Sequence, residues 1–368
     1  MEKWLNDIWE TIEKKLEFSS KTTGDSVFAY TTENGKYIDK EYIYYWTNGF
    51  WPGIMWLMYQ GTKKEHYKEI AESLEKKLDE ALYGFVGLHH DVGFMWLPVS
   101  VANYRITGNE ESKKRGLIAA AYLASRYNPA GKFLRAWNGS KEQGWAIIDC
   151  MMNIPLLYWA SEVTGDPRYR EIAINHADTA LNTFIRPDGS VNHINSYDPE
   201  TGEFIETFGG QGFEKGSSWT RGQSWAIYGF VLSYIHTGKQ DYLDAAKRVA
   251  HYFIASLSAA DDYVPPCDFR SPKEPVYKDA TAGAIAACGL IEISKAVGEH
   301  EKNLYLNSAV KILKAIDETS CDWSENDAAI IQKGTEAYNR GCNIPIIYGD
   351  YYFIEAIMKL RGTDILFW

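Results

Sequence analysis

Apolar residues recur along this chain in two alternating registers. In 64–83, Tyr67, Ile70, Leu74, Leu78 and Leu82 fall at steps of three and four with Lys and Glu between them, the spacing of one apolar helix face. Segments 4–17, 109–126, 166–186, 239–258 and 300–318 repeat that pattern. Between them lie 46–60, 91–106, 147–163, 217–236, 279–296 and 348–360, which carry few charges and are apolar or aromatic all round. A helix apolar on every side is a buried helix. Glycines follow these buried segments at Gly61, Gly108, Gly165, Gly238, Gly298 and Gly362. There they are expected to form left-handed caps, a conformation that costs other residues a steric penalty.

Helical hairpins of this kind cannot bury their faces singly and must stack. The predicted fold is all-α, an (α/α)6 barrel of six inner helices ringed by six outer ones. A superhelical solenoid is the competing arrangement, but it requires polar capping repeats. Here the last hairpin is as apolar as the others and ends Leu366-Phe367-Trp368. The absence of any linker or low-complexity stretch predicts one domain over 1–368. Segment 187–210 has the turn chemistry of a β-hairpin excursion. In such a barrel the inner helices all run one way, so their N-termini share a mouth. The long polar and aromatic loops 85–90, 127–146, 187–216, 259–278 and 319–347 enter there, and a site is expected among them.

Charge and composition narrow the chemistry. With 38 Lys and Arg against 49 Asp and Glu, the net charge is −11, which argues against nucleic-acid and anionic-membrane partners. Five scattered cysteines without a CxxC pair point to a reducing compartment and no structural zinc. The N-terminal stretch lacks the apolar core of a signal peptide, and no run approaches the ~18 apolar residues of a membrane span, so a cytoplasmic protein is expected. Aromatic residues make up 14%, a density that either fills a large core or lines a sugar-binding cleft.

Two aspartates open adjacent buried segments, Asp91 in the second and Asp149 in the third, 58 residues apart. Packed helices lie about 8–10 Å apart, and glycoside chemistry uses carboxyl pairs separated by about 5–9.5 Å. Each aspartate is alternatively a helix N-cap, although their apolar flanks are not what an exposed cap needs. Arg221, in an apolar helix start, must meet an anion, either an internal aspartate or a substrate oxygen. Trp219 and Trp225 stand six apart, so one is free to stack on a sugar while the other packs; Trp46 and Trp137, at other mouth positions, carry the same two readings. His193 lies in the hairpin excursion, where a lone histidine is most often structural. Asp279 and Asp350 open further buried helices as caps or arginine partners. His89 and His90 are adjacent and expected to diverge, so no metal site is predicted. There is no phosphate-binding loop, dinucleotide fingerprint, HExxH or GxSxG motif.

Over nearly its whole length the chain resembles the unsaturated glucuronyl hydrolases of glycoside hydrolase family 88. The resemblance rests on His90-Asp91-Val-Gly-Phe-Met-Trp96, Ile148-Asp149-Cys-Met-Met-Asn153, Gln211-Gly212, Trp219-Thr-Arg221-Gly-Gln-Ser-Trp225 and Gly349-Asp350-Tyr-Tyr-Phe-Ile-Glu355. It implies an (α/α)6 barrel without metal or cofactor; a monomer or weak homodimer is expected. The implied substrate is an oligosaccharide that ends in the 4,5-unsaturated uronic acid left by a polysaccharide lyase. It implies Asp149 as acid and base, and Asp91 as a second essential aspartate that stays ionised and favours the protonated form of Asp149. Trp46, Trp137, His193, Gln211, Trp219, Arg221, Trp225 and Tyr338 are the implied substrate contacts. A helix N-terminus favours a carboxylate anion by about 0.3–1 kcal/mol, less than burial and a facing carboxyl do in the opposite direction.

The enzymatic rivals are an unsaturated rhamnogalacturonyl hydrolase and a sugar 2-epimerase, the latter needing paired histidines that the sequence does not offer. An inactive sugar-binding barrel is the non-enzymatic rival. Relatives that accept 6-sulfated units carry Ser-x-x-Ser-x-Lys after the position of Tyr338, and an Arg before the Gln-Gly. This chain has Tyr338-Asn-Arg-Gly-Cys-Asn-Ile-Pro and Gly209-Gly210 instead. An unsulfated substrate is expected, with Arg340 as the nearest substitute donor.

Overall fold

A computed structural model describes residues 1–259, 262–363 and 366–368; positions 260 and 261 of the 259–278 loop, and 364 and 365 near the end of the 1–368 range, lie outside them. The chain alternates outer and inner helices throughout. Outer α1 (Glu2–Thr23) is followed by inner α2 (Phe50–Thr62), which a 3-10 turn at Trp46–Gly49 leads in. Outer α3 (Glu65–Lys77) and α4 (Asp79–Gly84) precede an inner helix in three pieces: α5 (Val92–Trp96), a π turn at Leu97–Val101, and α6 (Ala102–Thr107). Outer α7 (Glu110–Ser125) leads to a 3-10 turn at Ile148–Met152 and inner α8 (Pro155–Thr164). Outer α9 (Pro167–Thr183), inner α10 (Thr220–Thr237), outer α11 (Gln240–Leu257), inner α12 (Ala280–Ala296), outer α13 (Glu299–Ser320) and inner α14 (Ile347–Leu360) complete the ring.

This is the expected (α/α)6 barrel, and burial separates its two layers. Every residue from Thr220 to Ser233 of α10 is buried, whereas α11 buries a stripe running from Tyr242 through Val249 to Leu257. The ring closes where the Trp4 indole N–H donates to Asp317 of α13 at 2.9 Å. Trp368 ends buried inside, its Nε1 donating to Glu355 at 2.9 Å and its ring stacked on Tyr352. Among the described residues no helix is long and apolar enough to cross a membrane.

Several local expectations need correction. Gly108, Gly165, Gly238 and Gly362 do take positive φ after their helices, but Gly61 does not. It lies within α2, where a Cβ would sit 2.6 Å from the Trp9 ring, and Lys63 is the left-handed cap. Gly298 has φ −66° and precedes α13 as its N-cap. The 64–83 helix breaks at Leu78. The predicted excursion is present as β6 and β7, but the mouth loops hold more strand than expected. Pairs β1 (Thr31–Glu33)–β2 (Lys36–Ile38) and β3 (Tyr127–Asn128)–β4 (Phe133–Leu134) come first. A three-stranded antiparallel sheet of β5 (Trp145–Ile147), β6 (Ile194–Tyr197) and β7 (Phe204–Phe208) follows, then a hairpin of β8 (Gly334–Ala337) and β9 (Arg340–Ile344).

The second and third inner helices touch at Gly93 and Asn153. A Cβ at Gly93 would lie 2.4 Å from Asn153 Cα and 2.7 Å from its carbonyl oxygen, and the neighbouring Phe94 N–H donates to Asn153 Oδ1 at 2.9 Å. Backbone cannot yield as a flexible side chain does, so Gly93→Ala should lose about 1–3 kcal/mol, the usual cost of overpacking. Urea unfolding measures this, and an unchanged midpoint would show that the helices separate freely.

Candidate active site

The N-terminal ends of the inner helices surround a cavity of about 250 Å³, slightly below the usual ~300–1,000 Å³ of a small-molecule pocket. Trp46, Asp91, Asp149, Arg221 and Tyr348 come from or immediately precede inner helices, while Trp137, Gln211, Glu336 and Arg340 come from the loops. A larger groove of about 590 Å³ behind the 133–138 segment has no carboxylate in its lining.

Asp149 sits in the 3-10 turn that continues directly from β5. It does not cap a helix, and its Oδ1 is buried without a hydrogen-bond partner. The β5–β6 register pairs Ile147 with Ile194, and the Ile148 N–H donates to the His193 carbonyl at 3.1 Å. This register brings His193 beside Asp149, with Nε2 3.8 Å from Oδ1. His193 Nδ1 accepts the Gln211 backbone N–H at 3.0 Å, and the Trp219 ring lies 4.1 Å from the imidazole.

Asp91 precedes α5 and makes no cap bond either. Its Oδ1 accepts from Asn153 Nδ2 at 3.0 Å, and the same amide reaches the Asp149 carbonyl at 3.2 Å. Asn153 thus links the two aspartate-bearing segments. His89 and His90 do not diverge: Nδ1 of His89 and Nε2 of His90 approach Asp91 at 3.3 and 3.4 Å. The ligand atoms of all three lie within 4.8 Å of one another, so these residues are the ones placed to offer a cation ligands. Burial, however, holds His89 down at about 4 and His90 well below its ordinary range, so both are neutral.

The electrostatics of the two carboxyls follow from dehydration. Burial pushes Asp149 up to about 7, opposed by the charge of Arg221. Burial and the charge of Asp149 push Asp91 well above the carboxylate range, opposed by the Asn153 bond. The expectation of an ionised Asp91 is thus opposed by its surroundings, since burial and the neighbouring Asp149 both favour its protonated form.

Arg221 resolves toward an internal partner. Nη1 donates to Asp279 Oδ2 and the Thr335 carbonyl, and Nη2 to the Glu336 carbonyl, each at 2.6 Å. Gln211 Nε2 donates to the same Glu336 carbonyl at 2.6 Å. Asp350, the other proposed cap or arginine partner, instead accepts the Ile330 and Ile331 N–H groups and the Tyr37 hydroxyl.

Four of the candidate contacts are not in the cavity lining. Trp225 is fully buried beneath it, between Phe94 and Tyr352, so it is core. Trp219 lies behind His193, which reaches the cavity only at Asp149. Tyr338 packs its ring on Phe213 and Tyr277. The lining also includes Tyr30, Tyr45, Tyr348 and Glu336, which the sequence reading missed. Glu336 meets the Tyr30 hydroxyl at 3.1 Å and Arg340 at 3.6 Å. The Asn-Arg-Gly turn after Tyr338 was the one available signal of this hairpin; Asn339 and Gly341 both adopt positive φ there.

The upward shift of the Asp149 pKa has a stability consequence. The folded state binds this proton more tightly than the unfolded chain, so the associated stability is complete below the ordinary carboxylate range and is lost as pH rises through about 7. Asp149→Asn removes the buried charge. The variant should exceed the parent by about 1–4 kcal/mol at about pH 8, and match it near pH 4. Urea midpoints at both pH values test this, and no gain at the higher pH would contradict the burial cost.

Comparison with known proteins agrees with the fold and with the resemblance. A sequence profile of Glycosyl Hydrolase Family 88 matches residues 19–352. The chain is 38% identical over 333 residues to an unsaturated glucuronyl hydrolase of Bacillus sp. (strain GL1), covering 88% of each chain. It is 35% identical over 336 residues to an unsaturated chondroitin disaccharide hydrolase of Streptococcus pyogenes serotype M1, covering 88% of this chain and 83% of the relative. A crystal structure of an unsaturated glucuronyl hydrolase from Bacillus sp. GL1, described as responsible for glycosaminoglycan degradation, superposes with a TM-score of 0.91 at 35% identity over 96% of this chain and 97% of that one. A profile match over most of the sequence, these identities and the shared fold together establish that the chain belongs to glycosyl hydrolase family 88.

Proposed function

We propose that this protein removes the 4,5-unsaturated uronic acid from the non-reducing end of lyase-generated, glycosaminoglycan-type disaccharides. The observation that carries the reading is the pair of dehydrated carboxyls facing one small mouth cavity, one of them titrating at about 7. The substrate's 4,5-double bond, conjugated to the ring oxygen, is a vinyl ether. Asp149 donates its proton to C4, and the π electrons form the new C4–H bond. C5 is left as an oxocarbenium centre, and water adds there while its proton passes to the Asp149 carboxylate. The hemiketal opens at the bond between C5 and the ring oxygen, and the resulting hemiacetal at C1 expels the neighbouring sugar. One group serves as acid and then base, for which a value near neutrality is suited. Asp91, held by the Asn153 amide beside Asp149, hydrogen-bonds the sugar hydroxyls. Trp46 and Trp137 offer ring faces to the sugar. Five unpaired cysteines support a cytoplasmic site of action.

Incubation with a panel of unsaturated disaccharides should abolish the ultraviolet absorbance of the conjugated ene-acid. Asp149→Asn should lose at least ~100-fold in kcat while remaining folded, as expected for a general acid and base. In heavy-oxygen water the label should enter at C5 of the product of the unsaturated sugar. Label at C1 of that same sugar would mean ordinary glycoside hydrolysis.

The rim supports a preference among these substrates. Arg340 and Lys40 both face Glu336, at 3.6 and 3.9 Å, so a sulfate would compete with a resident carboxylate for its donors. Unsulfated disaccharides should be favoured at least ~10-fold in kcat/KM over 6-sulfated ones, about 1.4 kcal/mol. Equal or faster turnover of the sulfated substrate would refute this, and Arg340→Ala would then be the first variant to examine.

A further inference from the structure

His193 was introduced as a substrate contact, yet its surroundings specify something narrower. Its Nδ1 lies 3.0 Å from the Gln211 backbone N–H. A backbone N–H can only donate, so Nδ1 must accept; the Gly209 carbonyl, 3.3 Å from the same atom, is then a neighbour rather than an acceptor. A neutral imidazole that accepts at Nδ1 carries its proton on Nε2. Burial keeps His193 neutral, pushing it down to about 3. The ring is fixed from both sides. Gly210, at φ +61°, brings the backbone so close that a Cβ would lie 2.0 Å from Nδ1, and Trp219 covers the ring at 4.1 Å.

The Nε2–H so fixed has no acceptor, and Asp149 Oδ1 facing it has no partner, although both atoms are buried. Native structures rarely leave two such groups unpaired. Their separation of 3.8 Å exceeds a hydrogen bond, but one oxygen at about 2.8 Å from each would satisfy both. We propose that Nε2–H of His193 and the carboxyl of Asp149 hold between them the water that attacks C5.

The assignment rests on the hydration reaction proposed above, and the roles balance. Once Asp149 has given its proton to C4, its carboxylate accepts one hydrogen of the water. The Nε2–H donates to one lone pair of the water oxygen, and the other lone pair forms the bond to C5. The water proton ends on Asp149, and His193 neither gains nor loses one. A water hydrogen-bonded to Asp149 alone would be free to turn its lone pairs away from C5.

The test compares His193→Phe, which keeps a ring beneath Trp219 but no donor, with His193→Gln, whose amide nitrogen restores one. On a disaccharide that the parent enzyme consumes, the Phe variant should lose about 100-fold in kcat with KM within about threefold, and the Gln variant should return to within about tenfold of the parent. Both should keep the parent's pH limbs, because the imidazole does not titrate there. A KM raised tenfold or more at unchanged kcat would make His193 a sugar contact and overturn the proposal. Equal losses in the Phe and Gln variants would reduce it to packing, and a moved pH limb would mean that it carries charge. If the Phe variant does not fold, His193→Leu takes its place with the same outcomes. Failure of the parent to consume any unsaturated disaccharide would instead count against the proposed function.

Discussion

The mouth of this barrel is organised by one dehydrated guanidinium. Arg221 has its terminal nitrogens bound to Asp279 and to two carbonyls of β8, with Trp219 and Tyr348 rings against it at 4.6 and 5.3 Å. It therefore ties α10 to α12 and to the β8–β9 hairpin. Losing one partner of such a pair strands a buried charge at a cost of about 3–5 kcal/mol. The consequence spreads along connected groups. The Glu336 carbonyl bound by Arg221 also receives Gln211 Nε2, the Gln211 N–H fixes the His193 ring, and His193 faces Asp149. The geometry around the Asp149 carboxyl is thus set largely by backbone atoms, whose positions the barrel determines.

The second constraint is the dehydration of two carboxyls. Inner helices apolar on all sides are what the fold needs for its core, and the same surroundings at their mouth ends push Asp91 and Asp149 upward. In the proposed reaction, activity and stability therefore pull in opposite directions at Asp149, a trade common at catalytic groups. Asn153 offsets the burial of Asp91 by donating to its Oδ1, the same amide reaches the Asp149 backbone carbonyl, and the Gly93 contact that seats Asn153 admits no side chain.

Periodicity made the barrel legible, because an outer helix shows one apolar stripe and an inner helix shows none. What it could not distinguish was the use of a residue whose type serves two purposes. Gly61 and Gly298 follow apolar runs just as Gly108 does, but one admits the Trp9 ring and the other starts the next helix. Trp46 and Trp225 both stand near inner-helix starts. Trp46 precedes its helix and faces the cavity, whereas Trp225 lies more than one turn inside α10 and joins the core. Adjacent histidines diverge along an extended strand, but the chain turns into α5 immediately after them and both converge on Asp91. The strand Gly334-Thr-Glu-Ala has no apolar alternation, so nothing local announced Glu336.

Glu336 also shows how such a mouth separates the charge of its rim from the bonds at its base. Its carbonyl oxygen is committed inward, to Arg221 and Gln211, and any residue at this position would supply that atom. Its side chain points to the rim, where Tyr30, Lys40 and Arg340 meet it. Replacing the side chain changes the charge presented to the second sugar and leaves the bonds leading to His193 and Asp149 in place. Arg340 has the same independence, since it is mostly exposed and forms its ion pair across the hairpin rather than to the barrel. The hairpin is therefore anchored through its backbone while its side chains set the charge of the rim, so that charge can be varied without disturbing the Asp149 carboxyl at the base of the pocket.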